Sequence, residues 1–176
     1  MTVSTVASVH EIAEELLTAA EEIIATTVGG PVGLAYISPG LPSLDYQCDQ
    51  IAVWNALLGE EQTNPLSPIA QIGMKRRLGW VNLVTLSTLV ARCIRVGTTT
   101  RSGYTPPSQE ILTADGEKVM EDGWALWNGI STAFIEDGLF DGTCKELKFV
   151  SMTPLVPQGG MAGWVLTLAI ELAGYR

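Results

Sequence analysis

The spacing of hydrophobic and polar positions changes along the chain, and the first stretch has helical spacing. Its apolar residues recur at steps of three and four, with glutamates mostly on the opposite side. Ser8 and Glu11 are placed for reciprocal capping of the first free backbone N–H groups, and Gly29 and Gly30 provide a stop. This pattern predicts a helix over about residues 8–27.

Three extended runs follow this helix. The first covers Val32–Ile37, the second about 47–57, and the third 82–96. The segment 59–80 has no clean period, and a loop of this length is usually functional or disordered. In the third run, apolar residues alternate with residues that are mostly small or polar. This alternation predicts a long strand with one solvent-exposed face. The apolar face holds Val84, Leu86, Val90, Ile94 and Val96, and the other holds Thr85, Ser87, Ala91 and Arg95.

A second helical pattern begins after a polar stretch at 98–107. Ser108 is suited to cap this helix. Three glycines inside it each cost about 1 kcal/mol relative to alanine, which predicts a kink near Asp115-Gly116 or close packing of a neighbouring backbone. The apolar positions of the helix are Ile111, Leu112, Val119, Met120, Trp124, Trp127, Ile130 and Phe134.

The last part of the chain alternates most clearly. Residues 145–153 alternate modestly, and Pro154 to Gly160 is predicted to turn the chain. Large and small residues then alternate strictly, which predicts a strand over 163–173 with its large residues in the core.

These elements predict an α+β fold in a single domain over residues 1–176. The order is α-β-β-β-α-β-β, with a mainly antiparallel sheet, two helices packed on one face and strand 163–173 central in the sheet. The long loop at about 59–80 is an insertion in this domain. At 176 residues and 47% hydrophobic content, the chain is long enough to bury one substantial core.

Charge is distributed unevenly. The formal net charge is −9, but six bases lie in the window 75–101 without an acid between them, and the rest of the chain carries a net charge of −15. Such a strip indicates contact with an acidic neighbour, with a solvated basic loop as the alternative. Trp80 lies beside the basic triplet, and an aromatic residue with arginines is a common interface anchor. The candidate interface residues are Lys75, Arg76, Arg77, Trp80, Arg92, Arg95 and Arg101.

Candidate catalytic residues are few, and the sequence does not predict an enzyme. His10 lies among glutamates in the first helix, where an exposed helix position is the expected role. Glu14, Glu15, Glu21 and Glu22 are expected on the solvated face of that helix. We find no metal-binding, phosphate-binding or cofactor-binding motif, no secretory signal and no membrane span. Cys48, Cys93 and Cys144 are odd in number and widely spaced, which predicts small buried thiols of a protein folded in a reducing cytoplasm.

Two segments and the element order resemble a known family. The segments are Gly30–Gly40, GPVGLAYISPG, and Asp45–Gln50, DYQCDQ. They are similar to segments of tail-terminator proteins of long-tailed bacteriophages, of the type found in actinobacterial phages, and the element order resembles that family over nearly the whole chain. The resemblance implies a structural virion protein without a cofactor, assembled in the host cytoplasm into a homo-oligomeric, hexameric ring in the tail or neck.

The resemblance also implies partners. The ring would cap the tail-tube protein and meet a head-side connector or stopper protein, and genomic DNA would pass through it without specific binding. Two alternatives remain open. One is another phage neck or tail-tube component, and the other is a small-molecule enzyme, in which His10 or the carboxylates would have to converge in a pocket.

Overall fold

A computed structural model describes residues 9–44, 48–55, 83–101, 103–158 and 160–172. They form two α-helices, one five-stranded sheet and a short hairpin. The elements are α1 (Val9–Ala25), β1 (Leu34–Ser38), β2 (Gln50–Asn55), β3 (Leu83–Cys93), β4 (Thr98–Thr100), β5 (Gly103–Thr105), α2 (Gln109–Ile135), β6 (Cys144–Gln158) and β7 (Met161–Leu172). The predicted α+β class and order are confirmed, and the β4–β5 hairpin adds two short strands in the polar stretch 98–107, for which no element was predicted.

The large sheet has the strand order β1-β2-β3-β7-β6. Only β1 and β2 pair in parallel, while β2–β3, β3–β7 and β7–β6 are antiparallel, so the predicted mainly antiparallel sheet is confirmed. β7 is hydrogen-bonded on both sides, to β3 and to β6. It is therefore an internal strand, although β3 occupies the middle position.

Both helices pack on the same face of this sheet, as predicted. α1 contributes a stripe of buried apolar residues at helical spacing to the core, and α2 contributes Leu126 and Ile130. The alternation of β7 supplies the sheet side of this core, with Leu166, Leu168 and Ile170 buried beneath the helices. The stripe of α1 consists of Ile12, Ala13, Leu16, Ala20 and Ile24.

The prediction that β3 has one solvent-exposed face is wrong. Thr85, Ser87 and Ala91 are buried on the side of the sheet away from the helices. Ser87 shares a hydrogen bond of 2.8 Å with Thr167 of β7, so one small hydroxyl satisfies another across the strand pair. A second apolar cluster, which includes Trp54 of β2 and Leu89 of β3, lies on this face. Small polar residues at alternate positions of β3 therefore do not mark a solvent-exposed face.

β6 forms one outer edge of the sheet and is longer than expected. The strand continues through Pro154 and Pro157 to Gln158, so the predicted turn over 154–160 is wrong. Its pairing with β7 shifts register between Cys144 and Glu146, between Phe149 and Ser151, and between Leu155 and Gln158. Prolines and bulges are both typical of edge strands, because they remove or displace backbone donors.

α2 is one continuous helix through all three of its glycines. Gly123 packs against the indole of Trp164 and Gly129 against Ile23, so a side chain at either position would collide with a neighbour. Close packing is thus the explanation for two of the glycines, although the neighbours are side chains rather than backbone. Neither α1 nor α2 has the length and apolar character required to cross a membrane.

Candidate interaction surface

An apolar groove lies between α2 and the last two strands of the sheet. Its volume is about 490 Å³, and its lining is almost entirely carbon. The residues that line it are Met120, Gly123, Trp124, Trp127, Met152 and Trp164. We refer to these six residues as the α2 groove.

Trp164 and Gly123 form the floor of the α2 groove. The indole Nε1 of Trp164 donates a hydrogen bond of 2.8 Å to the carbonyl oxygen of Val119. A Cβ atom at position 123 would lie 2.6 Å from that nitrogen, so only glycine admits the ring. The floor is therefore fixed by one hydrogen bond and one close approach, and the groove is a preformed feature of the fold.

The walls of the α2 groove are aromatic or flexible side chains that remain open to solvent. Trp124 is 72% exposed and Met120 is 70% exposed. Trp127 contacts Phe149 of β6, with ring centroids 4.6 Å apart and planes tilted by 46°. A cluster of exposed large apolar side chains around a concave floor is typical of a binding surface for another macromolecule.

The helix that carries the groove is acidic. Residues 109–137 contain seven acids and one base, Lys118. Asp122 pairs with Arg92 of β3 and Asp115 pairs with Arg95, two residues after β3, which leaves a net charge of −4 on the remaining residues of this stretch. The α2 groove therefore combines an apolar floor with an acidic setting, which favours a partner that has apolar and basic side chains together.

Arg92 is buried within the fold, whereas the prediction had placed it on a basic strip available to a neighbour. Its side chain is 3% exposed, and its Nε donates to Asp122 Oδ2 at 2.7 Å. Its Nη2 donates to the carbonyl oxygen of Gly30 at 2.6 Å, and the Thr27 hydroxyl donates to Asp122 Oδ1 at the same distance. A buried guanidinium requires a partner for its charge, and Asp122 provides it. Through these bonds Arg92 joins β3 to α2 and to the turn after α1.

Arg95 also has a partner within the same chain. Its backbone N–H donates to Asp115 Oδ2 at 2.8 Å, and its guanidinium donates to the same carboxylate. These bonds hold the pKa of Asp115 below its ordinary value. The Arg95 side chain remains more than half exposed, and Arg101 is exposed. Their contact with a neighbour stays a prediction, and the remaining candidates, Lys75, Arg76, Arg77 and Trp80, lie outside the described residues together with the predicted loop 59–80.

The cysteine prediction is wrong for two of the three residues. Cys48 and Cys93 form a disulfide, and both are exposed rather than buried. The bond ties the residue two positions before β2 to the end of β3. Cys144 is a free, half-buried thiol, and burial raises its pKa, so the thiol is protonated at neutral pH and is a poor nucleophile.

The catalytic candidates lie apart from the α2 groove. His10 is exposed and lies 3.2 Å from Glu14 of the next helical turn. Glu15 is not only part of a solvated face, because its Oε1 accepts a hydrogen bond of 2.5 Å from the backbone N–H of Phe140. Phe140 has a φ of 65°, so Glu15 stabilises an unusual backbone turn. Within the ranges that the structure describes, no three His, Cys, Asp or Glu residues cluster as a metal site.

The α2 groove was missed by the sequence analysis, although its residues were identified as apolar. Met120, Trp124 and Trp127 were identified as apolar positions of the helix together with Ile130, without a distinction between buried and exposed sides, whereas the residues that α2 buries most deeply include Leu126 and Ile130. A signal was present in the sequence, because the apolar residues of α2 extend over more than one side of the helix.

No protein-family model matches the chain, and no curated protein matches it.

Proposed function

We propose that this protein is a structural subunit of a bacteriophage tail, of the tail-terminator type, which forms a hexameric ring. The observation that carries the proposal is the element order α-β-β-β-α-β-β around a mainly antiparallel sheet with both helices on one face. This element order is also the main feature by which the chain resembles the tail-terminator family.

The exposed apolar surface of α2 supports an assembly role. Side chains such as Trp124 and Met120 are large, apolar and mostly open to solvent in the isolated subunit. Rings are built from repeated head-to-tail contacts, in which one surface of each subunit meets a different surface of the next. The α2 groove has the shape and chemistry of one such surface.

The partners of the ring follow from the proposal. The ring caps the tail-tube protein on one side and contacts the head-side connector or stopper protein on the other. The excess of acids over bases suits a channel through which DNA passes, because phosphate contacts with basic residues would retain it.

The test is the mass and shape of the purified protein. We expect light scattering to give a particle near six times the 18.8 kDa subunit mass, and negative-stain images to show six-fold rings. Deletion of the gene from a phage that carries it should give tails of uncontrolled length that do not join heads. Normal infectious particles from the deletion would refute the proposed role.

A further inference from the structure

We propose that the Cys48–Cys93 disulfide is a redox switch, which holds the β1 border of the sheet in place and releases it when a dithiol reduces the bond. Both cysteines are exposed, so a reductant in solution reaches them. The border is then fixed in an oxidising environment and loose in a reducing one. This device belongs to the fold and is independent of the proposed ring.

The disulfide lies just beyond the ladder that joins β2 to β3. Gln50 is opposite Ala91 in this ladder. Two residues further out on each strand come Cys48 and Cys93, whose Cα atoms are 4.9 Å apart. Cys93 is also paired with Met161 of β7, whereas Cys48 precedes β2. Loss of the bond therefore leaves Cys93 held by the sheet and frees Cys48 to move.

Asp49 connects Cys48 to the start of β1. Its carbonyl oxygen accepts hydrogen bonds from the backbone N–H groups of Gly33 at 2.9 Å and Leu34 at 3.3 Å. Asp49 has a φ of 57°, a left-handed conformation that persists in residues other than glycine where their surroundings hold it. The disulfide at the adjacent residue is one such constraint, so its reduction weakens the two hydrogen bonds at the start of β1.

An ion pair beside the disulfide does not replace it. Arg92 Nη1 lies 3.8 Å from Asp49 Oδ1, but the Asp49 side chain is 45% exposed, so water screens the pair. The Arg92 guanidinium lies closer to Asp122, with Nε 2.7 Å from Oδ2. Arg92 therefore stays with Asp122 after reduction, and it holds Asp49 only weakly.

In the part of the chain that the structure describes, β1 is the strand of the large sheet that is most easily released. It lies at a border of the sheet, pairs with β2 alone and has five residues, each of them half-buried. β6 lies at the other border, but it has 15 residues and pairs along most of β7. Elements with few buried contacts open locally at a low free energy, so β1 is expected to open before the core does.

Reduction proceeds by two thiol–disulfide exchanges. A thiolate of the dithiol attacks the sulfur of one cysteine, the Cys48–Cys93 bond breaks, and the other cysteine leaves as a thiolate that takes a proton from water. The second thiolate of the dithiol then attacks the mixed disulfide and releases the first cysteine in the same way. Two electrons pass to the protein, and the dithiol becomes a cyclic disulfide. Oxidised glutathione reverses the change by the same chemistry and leaves as two thiols.

The test is hydrogen exchange, measured amide by amide by NMR with and without dithiothreitol and at several low guanidinium concentrations. In the oxidised protein, we expect the β1 amides to exchange with the same denaturant dependence as Leu168 in the core. After reduction, the amides of Gly33 and of β1 should exchange at least about tenfold faster and almost independently of denaturant, which is the signature of local opening. Oxidised glutathione should restore the slow rates.

Two single variants provide matched controls. Cys48→Ser lacks the bond and should show the fast β1 exchange with and without reductant. Cys144→Ser removes the cysteine outside the bond and should respond to reductant as the unchanged protein does. Circular dichroism establishes that each variant is folded, and exchange in the reduced unchanged protein decides the question if Cys48→Ser does not fold.

The outcomes separate local release from a general loss of stability. Local opening of β1 only after reduction would establish the switch. If the β1 amides keep the denaturant dependence of the core after reduction, the bond stabilises the whole fold and does not control β1. Local opening of β1 while the bond is intact, or failure of oxidised glutathione to close the bond in the folded protein, would also overturn the switch. None of these outcomes alters the mass expected for the proposed ring.

Discussion

The two helices lie on the same face of the sheet, but they leave different surfaces to solvent. α1 turns a single stripe inward, and Ile12, Leu16 and Ile24 are fully buried. α2 also buries residues, but it leaves Met120 and Trp124 more than two-thirds exposed. α1 has the stripe that a helix needs to join a core, whereas α2 carries apolar area beyond what the subunit buries.

The difference separates the residues that the fold requires from those that the fold leaves available for contacts. A charge introduced on the inner side of α1 should damage the fold itself, whereas a charge on the outer side of α2 should leave the fold intact and, under the proposed function, damage only contacts between copies. Arg92 and Asp122 join the two regions, because they link α2 to the turn after α1.

The largest effect is expected from a charge in the stripe of α1. Leu16→Asp would bury an unpaired carboxylate beneath the sheet, at a cost of several kcal/mol, which is comparable to the whole stability of a typical domain. We expect circular dichroism to show an unfolded or insoluble protein. Trp124→Asp is the matched change on α2 and should alter the unfolding free energy by less than about 1 kcal/mol. Equal loss of stability in the two variants would remove the distinction between the helices.

The next effect concerns the link between the helices. Arg92→Met leaves Asp122 as an uncompensated buried carboxylate, with an expected cost of about 3–5 kcal/mol in chemical denaturation. The double variant Arg92→Met/Asp122→Leu removes both charges and should recover part of that loss. If the single variant is as stable as the unchanged protein, the ion pair does not join the helices in solution.

Reduction of the disulfide should destabilise the subunit without touching either helix surface. The bond closes a loop across a sequence separation of 45, for which a loss of about 2–4 kcal/mol is expected on reduction. Melting with and without a reductant measures the effect, and Cys93→Ala should melt as the reduced protein does and ignore the reductant. Thiol titration of the denatured protein should find one thiol before reduction and three after it. Three thiols before reduction would show that the bond had not formed.

The smallest effect is the acid dependence contributed by α2 through Asp115. Because the hydrogen bonds from Arg95 lower the pKa of this carboxyl from its ordinary 3.8, its ionised form stabilises the folded state above that pH. The contribution is lost as the pH falls below 3.8 and through the lower folded value. It is modest, since the guanidinium is largely solvated. Asp115→Asn should flatten the pH dependence of melting in this range, and an unchanged slope would contradict the assignment.

Regular periodicity made the first helix and the last strand predictable. α1 was predicted over about 8–27 and extends over Val9–Ala25, because a helix packed on one face must place apolar residues at a period near 3.6. β7 was predicted from strict alternation, and its large residues are those that meet the helices. In both elements the large apolar residues share the face that meets the helix-side core, so local spacing carries the signal, although the small residues of β7 such as Thr167 and Ala169 are buried as well.

The errors share a different physical cause, since each depends on a partner distant in sequence. Arg92 was assigned to the surface because its partner, Asp122, lies 30 residues away on another element. Cys48 meets Cys93 only through the pairing of β2 with β3. The outward position of Trp124 depends on how α2 is rotated against the sheet, and apolar spacing alone does not fix that rotation.

The irregular outer strand has a consequence for how copies of this protein can meet. β6 carries two prolines and three register shifts, so its free side lacks the even ladder of backbone donors and acceptors that a further strand requires. Growth of the sheet from one molecule into the next is thereby discouraged along this border. A molecule that meets this border must do so through side chains, and the same irregularity protects the isolated protein from uncontrolled polymerisation.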